Sequence, residues 1–450
     1  MTFFQKQLVK EKLGKIIASI VLVIILLVGG VGYTAWYHLY REVPTYYESA
    51  EENFKYGSIG TEQTQGIPYW IWLVLPRIFS DKLPAPGGYT SLGITWEEGK
   101  ETPIGFTKKT IGFPRVGMTC AACHTSTYRT KDKDKPTIIP AGVSTKFDLQ
   151  SYLRFLGEAA SDPRFNPDSI LDEIKYSYKF SPIENALYRY LIIPQTKKAL
   201  LAQKENFTWT DSHPNWGSGR IDLFNQVKYN TLKLSKDNTI GNSDIMPLWN
   251  QKMHKDFAFH WDGLETSLTE TVQIGAINNG ATNKSLAVTD LQRVENYISE
   301  LPSPKYPFTI NDKLATKGKQ IFDNSCATCH AFGEEKTGTV IPQEEVGTDR
   351  HRLDMWTQAA ADAYNKFSQA YPWDFDNLRK TNGYVSVALD GLWLRAPYLH
   401  NGSVASLQDL LEKPENRPKV FGEDMTFMIK IKLGLSPIIP KLKKLVLNMM

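Results

Sequence analysis

Two copies of one pentapeptide decide how this chain is built: Cys120-Ala121-Ala122-Cys123-His124 and Cys326-Ala327-Thr328-Cys329-His330. The pattern C-x-x-C-H is the attachment signature of c-type haem, in which two thiols bind the porphyrin vinyl groups and the adjoining histidine binds the iron. The thiols must reach two fixed points on a rigid macrocycle, and the imidazole must lie under the metal. The sequence therefore predicts two covalently attached haem c groups, with His124 and His330 as iron ligands.

The same cysteines could instead form structural zinc sites, disulfides or a redox dithiol. The chain contains four cysteines and eight histidines in 450 residues, and the two motifs use all four cysteines. A zinc site or a dithiol does not require histidine at the next position both times. The repeated histidine favours haem.

Composition bounds the class of protein. A length of 450 residues suits two or three domains, and 42% hydrophobic residues with 12% aromatics is an ordinary globular composition. The net charge of +4 is modest and scattered. Because nucleic-acid binding needs a concentrated basic face, the sequence gives no indication of a nucleic-acid partner.

The N-terminus carries an uncharged apolar run, residues 16–31, which residues 32–37 extend to nearly the length of a bilayer span. Four lysines precede the run, and Tyr33, Trp36 and Tyr37 follow it. This order predicts one transmembrane helix, with the N-terminus in the cytoplasm and the rest of the chain in the periplasm of a bacterium. A cleaved signal peptide is the competing interpretation, but the run is long and no clean A-x-A site follows it.

The chain after the apolar run is rich in aromatics, glycine and proline up to about residue 109. The segment 67–79 is apolar but short, with two prolines and Arg77, so we expect a packed amphipathic stretch and not a second span. Residues 112–117, Gly-Phe-Pro-Arg-Val-Gly, read as a loop leading into the first motif.

A helix and three prolines divide the remaining chain. Residues 290–301 place Leu291, Val294, Ile298 and Leu301 on one helical stripe, and prolines at 302, 304 and 307 then stop it. Residues 314–322 read as a short helix that runs directly into the second motif.

We therefore predict a mainly α fold, with two cytochrome c-like haem domains and long loops after the N-terminal transmembrane helix. The predicted division is a membrane anchor at 1–40, a first haem domain with insertions at 41–305, a second cytochrome c domain at 306–421 and an atypical basic and apolar tail at 422–450.

The order of motifs resembles the bacterial di-haem cytochrome c peroxidase superfamily. That order is the first C-x-x-C-H, then Trp261-Asp262-Gly263, the second C-x-x-C-H, and Ala396-Pro397-Tyr398-Leu399-His400-Asn401-Gly402. The stretches 110–115, 347–354 and 392–403 look most similar to the branch that contains the rubber oxygenases. The likeness covers roughly residues 65 to 421.

The resemblance implies different roles for the two haems. His124 would hold the reactive haem, and His330 would hold the haem that relays electrons. Peroxidases of this group place an acidic residue shortly after Trp-Asp-Gly, whereas residues 277–282 here contain no acid. His260, Glu265 or Glu270 could supply acid-base catalysis instead, and we name His260 as the candidate catalytic residue.

The resemblance also implies residues around the second haem. Its sixth ligand normally comes from downstream of His400, but His400 is the last histidine of this chain. His400 itself, His351, Met425 or Met428 could take that position, and we count His400 and Arg395 as cofactor-binding candidates. A guanidinium pairs well with a haem propionate. Trp216, Trp249 and Trp261 could bridge the haems, although core packing is the default for a tryptophan.

Two functions remain open from the sequence. The first is electron transfer between a membrane or periplasmic redox partner and this di-haem cytochrome, anchored in the bacterial inner membrane. The second is an oxidoreductase in which the first haem reacts with peroxide, dioxygen or an apolar substrate. The missing acid weakens the peroxidase form of the second.

Overall fold

The structure is a computed structural model that describes residues 3–131, 134–373 and 377–421. About 48% of the chain is helical, in agreement with the predicted mainly α class. The helices are α1 (Phe3–Leu39), α2 (Ala50–Tyr56), α3 (Tyr69–Ile78), α4 (Leu149–Ser161), α5 (Pro167–Ile174), α6 (Pro182–Leu187), α7 (Ile193–Phe207), α8 (Leu223–Gln226), α9 (Leu268–Asn278), α10 (Val288–Glu300), α11 (Asp312–Ser325), α12 (Ala327–His330), α13 (Gln343–Val346), α14 (His351–Met355), α15 (Gln358–Ser368) and α16 (Leu407–Leu411).

The strands are short and antiparallel, and they pair in one four-stranded sheet of order β1-β3-β4-β2 and three two-stranded ribbons. They are β1 (Glu42–Val43), β2 (Ile67–Pro68), β3 (Phe106–Ile111), β4 (Phe113–Met118), β5 (Thr125–Tyr128), β6 (Thr137–Pro140), β7 (Arg220–Ile221), β8 (Ser243–Asp244), β9 (Val340–Pro342) and β10 (Gly383–Val385).

Helix α1 is long and apolar enough to cross a membrane. Its segment Lys12–Leu39 has a mean hydropathy of 2.7, and its most apolar window is not buried against the rest of the protein. In the part of the chain that the structure describes, this is the one helix with these properties. An unburied apolar helix of this length needs an apolar surrounding, so it fits a bilayer span.

The four-stranded sheet is attached directly to the end of α1. Strand β1 pairs with β3, and the Gly112 N–H donates to the Arg41 carbonyl at 2.7 Å. Gly112 has φ +72°, and a Cβ there would lie 2.3 Å from the Leu39 main chain, so glycine is required by both conformation and space. The loop expected at 112–117 is therefore wrong: Phe113–Met118 is a strand, because it pairs with β3 in a tight hairpin around this glycine.

Segment 67–79 is packed in the interior, as predicted. It forms β2 and α3, and Ile71, Trp72, Val74 and Leu75 are fully buried in the largest apolar core. The Trp72 and Tyr89 rings stack there at 4.3 Å, which anchors the segment well inside the protein.

The two predicted helices beside the proline-rich boundary are confirmed. Helix α10 ends at Glu300 and buries Leu291, Val294 and Ile298. Helix α11 begins after Asn311, whose side chain accepts from the Leu314 N–H, and it ends at Ser325, directly before Cys326. It has no buried residue, and Leu314 and Ile321 leave an apolar face open beside the second motif.

A second apolar core combines residues from both sides of the predicted boundary at 305/306. It contains Leu264 and Ile274 together with Trp356 and Tyr364. Such a shared core fixes the two halves relative to each other, whereas the domain division itself stays a prediction. The predicted tail at 422–450 lies outside the described residues.

Candidate haem sites

The first motif lies immediately after β4. Cys120–Ala122 forms a short 3-10 turn, and the His124 N–H donates to the Cys120 carbonyl at 3.1 Å. This turn brings both thiols and the imidazole to one side of the chain. None of the four cysteines forms a disulfide, so the thiols of both motifs are available for attachment.

His124 is oriented by a main-chain hydrogen bond. Its Nδ1 lies 2.9 Å from the Met246 carbonyl oxygen, which can only accept, so Nδ1 carries the proton and Nε2 keeps its lone pair. Burial lowers the pKa of His124 to about 4, so the ring is neutral. A neutral imidazole with its second nitrogen fixed by a carbonyl is the usual arrangement of a metal ligand.

A cavity of about 280 Å³ adjoins this motif. Its wall is mainly apolar, and its side chains with chemical function include Cys120, Cys123, His124, His260, Arg352 and Arg395. Both arginines have a buried Nε without a hydrogen-bond partner. Two thiols, one oriented imidazole and two buried cations suit a haem with its two propionates, so these residues fit the group.

His260, the predicted catalytic residue, lies in the wall of the same cavity. Its backbone has φ +64°, a conformation that costs free energy outside glycine, and its ring packs perpendicular to Phe224 at 5.5 Å. Burial, followed by the charge of Arg352, lowers the pKa of His260 to about 4. The structure thus places a neutral imidazole in the cavity, while its catalytic role stays a prediction.

A buried ion pair joins two of the sequence motifs. Arg352 donates from a terminal nitrogen to Asp262 at 3.0 Å, and both side chains are at most 5% exposed. Arg352 also lies over the Phe224 ring at 4.5 Å. The motif Trp261-Asp262-Gly263 and the motif at 347–354 therefore form one unit in the cavity wall.

Replacing Asp262 with asparagine is expected to lower the free energy of unfolding by about 3–5 kcal/mol, because it leaves the buried Arg352 charge uncompensated. Urea denaturation measures this change. Asp354→Asn is the matched control, since its pair with Arg350 is exposed and contributes about 0–1 kcal/mol. Equal losses in the two variants would contradict the importance of the buried pair.

Glu265 and Glu270, the other acid-base candidates, are buried but do not line the described part of the cavity. Glu265 accepts hydrogen bonds from the Thr266 and Ser267 N–H groups, and Glu270 accepts from Asn377. Burial, with a smaller contribution from the charge of Glu270, raises the pKa of Glu265 to about 7. These acids support the chain around the cavity.

Glu265 makes stability depend on pH. The folded protein keeps the Glu265 proton up to about pH 7, whereas the unfolded chain loses it near the ordinary value of 4.5. Stability should therefore fall as the pH rises from about 5 to about 8. Melting temperatures across this range should show the fall, and Glu265→Gln should flatten it. The exposed Glu300→Gln control should keep the wild-type slope, and an unchanged slope in Glu265→Gln would contradict the assignment.

The second motif follows α11 without a break. The His330 Nδ1 lies 2.8 Å from the Val387 carbonyl oxygen, so His330 also carries its proton on Nδ1 and presents Nε2. The Ser386 hydroxyl donates to the Cys329 carbonyl and fixes the same turn. Helix α11, which leads into this motif, exposes the apolar side chains of Leu314 and Ile321, and a haem could cover such a surface.

Arg395 lies in the wall of the first cavity. Its two terminal nitrogens donate to Asp390 at 2.8 Å and to the Ala388 carbonyl at 2.9 Å. Burial lowers the pKa of Arg395. Its Nε is therefore the atom left for a propionate, and its predicted role in cofactor binding stays a prediction.

His400 is held by protein groups. Its Nε2 lies 3.2 Å from Asp349 Oδ2 and 3.4 Å from the Tyr384 hydroxyl. The pKa of His400 is lowered by burial, against the opposing charge of Asp349. This Asp–His–Tyr cluster occupies the nitrogen that an iron would need, so the geometry fits a supporting role better than a ligand.

The structure does not place His351, an alternative sixth ligand, at either motif. The His351 side chain is 63% exposed and pairs with Asp349 at 2.9 Å. Met425 and Met428 lie outside the described residues.

The two sites are connected by residues that the sequence did not indicate. Val385, Val387 and Ala388 line the first cavity, and the Val387 carbonyl accepts from His330 of the second site. His254 and Phe257 also line the first cavity, and the His254 ring stacks on Phe332 at 5.6 Å, two residues after His330.

The three candidate bridging tryptophans lie elsewhere or have other contacts. Trp216 packs in the largest core, and the Nε1 of buried Trp249 donates to the Asp390 carbonyl. Trp261 lines the cavity, where its Nε1 donates to the Asp244 carbonyl at 2.7 Å. Of the three, only Trp261 is placed at the first site.

Comparison with known proteins relates the C-terminal part of the described chain to a cytochrome c family. The family described as "RoxA-like, cytochrome c-like" matches residues 383–422. The uncharacterized protein y4iM of Sinorhizobium fredii (strain NBRC 101917 / NGR234) is 29% identical over 205 residues, 40% of this chain and 46% of that protein. The uncharacterized protein y4iJ of the same strain is 22% identical over 400 residues, 68% of this chain and 65% of that protein.

The chain thus spans less than two thirds of the length of both relatives. The family match supports a relation to rubber-oxygenase-like c-type cytochromes. The matched residues 383–422 include Val387, Arg395 and His400, and a cytochrome c-like domain implies covalently bound haem c.

Proposed function

We propose that this protein is a membrane-anchored di-haem c-type cytochrome that transfers electrons, with His124 and His330 as the proximal iron ligands. One observation carries the proposal. Each motif histidine is fixed through Nδ1 by a main-chain carbonyl, and the carbonyl that fixes His330 belongs to a residue in the wall of the His124 cavity.

This arrangement gives the two sites a short connection. From the cavity wall at Val387, one hydrogen bond of 2.8 Å leads to the His330 ring. The stacked rings of Phe257, His254 and Phe332 offer a second route, with centroid separations of 4.9 Å and 5.6 Å. Bonded and closely packed atoms favour electron tunnelling over open gaps, so both routes support exchange between the sites.

The bound haem would supply the one-electron chemistry, and the chain's residues control its surroundings. His124 and His330 present oriented nitrogen donors. The apolar cavity wall excludes water, so a charge on the bound haem would be less stable there than in solvent. This change in relative stability of the two oxidation states would shift the reduction potential. Arg352 and Arg395 each pair with an aspartate, and each keeps one buried Nε–H that could donate to a propionate.

The electron partner is proposed to be in the membrane or the periplasm. Helix α1 would hold the protein in the bacterial inner membrane, since its lysines precede the apolar run and its aromatics follow it. The four-stranded sheet joins the end of this helix directly, which would keep the haem sites at a fixed distance from the bilayer.

A peroxidase- or oxygenase-like activity is the second candidate, and His260 is the observation that favours it. This neutral imidazole faces the cavity, and in the described residues its ring has no hydrogen-bond partner. It could accept a proton from a peroxide. If it bound the iron instead, no position would remain for peroxide and the enzymatic candidate would fail.

Electron paramagnetic resonance of the ferric protein, with and without peroxide, tests the proposal. Two low-spin signals that peroxide leaves unchanged are the expected result for an electron carrier. One high-spin signal that peroxide alters would support the enzymatic alternative, and the absence of any haem signal would contradict both.

A further inference from the structure

A set of exposed aromatic and aliphatic side chains lies on α6 and α7 and just after α5, outside the wall of the first cavity. Tyr176 and Tyr190 are 77% and 78% exposed, and Ile183 is 51% exposed. Leu191 and Leu201 are also exposed. We call these five residues the aromatic surface. Large apolar groups grouped on a surface mark a contact with a partner or a membrane.

Four of these residues share the helical segment that α6 and α7 form with the π turn Tyr188–Ile192 between them. Ile183, Tyr190, Leu191 and Leu201 fall at helical spacings on its outer side, while Ile192, Ile193, Thr196 and Leu200 face the interior. The segment is therefore apolar on two sides, one packed in the core and one open. The open side exposes large apolar groups that a contact would cover.

The aromatic surface is close to the point where the chain would leave the membrane. Gly112 contacts the Leu39 main chain at the end of α1. The next residue, Phe113, packs on Tyr188 with ring centroids 6.2 Å apart. Tyr188 is buried on the inner face of the segment, and Tyr190, two residues later, is on its outer face. One hairpin turn and one ring contact thus connect the end of the candidate span to the helical segment that carries this surface.

Further aromatic rings lead from Tyr188 toward the aromatic surface. Phe180 packs on Tyr188 at 4.3 Å, and Tyr178 packs on Phe180 at 5.2 Å. Tyr176 projects from the turn just before them. Tyrosine is enriched at membrane–water interfaces because its ring is apolar and its hydroxyl stays in the headgroup region.

We propose that the aromatic surface rests in the interface of the membrane that α1 crosses, as a second contact that fixes the tilt of the haem-bearing part. Among the charges nearby, Lys175 pairs with Asp172 and Arg189 pairs with Asp168, whereas the exposed Lys179 and Lys198 have no ion-pair partner among the described residues. Contact through the rings and aliphatic groups carries the interaction, and these two lysines add attraction to anionic headgroups. The proposal rests on the anchoring role of α1 proposed above.

Site-specific photocrosslinking tests this contact in the full haem-containing chain. Benzoylphenylalanine is placed at the position of Tyr190 or, in a second variant, Tyr176, and each protein is reconstituted in vesicles of phosphatidylethanolamine and phosphatidylglycerol. Both positions are highly exposed, so neither replacement should affect folding. Irradiation should give lipid adducts at both positions, as detected by mass spectrometry.

Two control positions separate the possible failures. Leu26 in α1 reports the span itself, and Leu411 in α16, 88% exposed, reports an exposed site on the second cytochrome region. Adducts at Leu26 and Tyr190 with only background at Leu411 would support the proposal. Adducts at Leu26 alone would overturn it and leave the anchor in place. No adduct at Leu26 or at Tyr190 would overturn the anchor as well. A protein–protein adduct at Tyr190 would overturn the membrane contact and assign the surface to a second chain.

Discussion

Replacing His330 with alanine is expected to abolish electron transfer between the two haem sites while covalent haem remains at both motifs. The thioether bonds depend on Cys326 and Cys329, whereas the iron loses its oriented nitrogen donor. The low-spin signal of the second site should disappear from the electron paramagnetic resonance spectrum. Rapid mixing with a reductant should show that the sites no longer exchange electrons.

His351→Ala is the matched control for this variant. His351 lies in the same half of the chain, but its side chain is exposed and pairs with Asp349. We expect its spectrum and electron-transfer rate to match the unaltered protein. Normal exchange in His330→Ala would contradict the assignment of this ligand, and loss of haem stain at the second motif would mean that attachment also depends on His330.

Replacing His260 with glutamine tests the enzymatic alternative. If His260 takes a proton from a peroxide in the cavity, the rate of reaction with peroxide should fall by about 10²–10⁴-fold. Glutamine keeps a polar side chain of similar length but cannot exchange a proton at neutral pH. Stopped-flow spectroscopy with peroxide measures the rate.

His213→Gln is the control, because the His213 Nδ1 is held by the Trp209 carbonyl at 2.9 Å and the residue does not line the cavity. An unchanged peroxide rate in His260→Gln would remove His260 from catalysis. Conversion of a low-spin signal to a high-spin signal in the same variant would instead identify His260 as an iron ligand, and would favour the electron carrier.

The sequence predicted the features that depend on local patterns. The repeated C-x-x-C-H motif located both sites, since its spacing follows from the chemistry of attachment. The stripe at Leu291, Val294 and Ile298 predicted α10, and the helix before Cys326 was predicted as α11. In each case the deciding residues are close together in the chain, so periodicity is sufficient.

The contacts that the sequence did not predict join distant residues. His124 is oriented by Met246, 122 residues away, and Asp262 pairs with Arg352, 90 residues away. The link from His330 to Val387 spans 57 residues. No periodic pattern encodes such pairs, because they depend on how whole elements pack. The resemblance placed Asp262 and Arg352 in separate motifs without showing that they meet.

The strand at 113–118 shows how local signals can also mislead. Glycine and proline at 112, 114 and 117 are typical of loops. Here Gly112 supplies the positive φ of a hairpin turn, and pairing with β3 overrides the local preference of the other residues. The consequence is functional, because this hairpin connects the end of α1 to the first motif.

The number of haems bound to each chain is the most direct test of the di-haem assignment. The pyridine haemochrome absorbance of the purified full chain, divided by its protein content, should give two haems per chain. The double replacements Cys120→Ala with Cys123→Ala, and Cys326→Ala with Cys329→Ala, should each give one. A value of one in the unaltered protein would contradict the di-haem assignment, and the cysteine pair whose removal leaves that value unchanged would be the one that carries no haem.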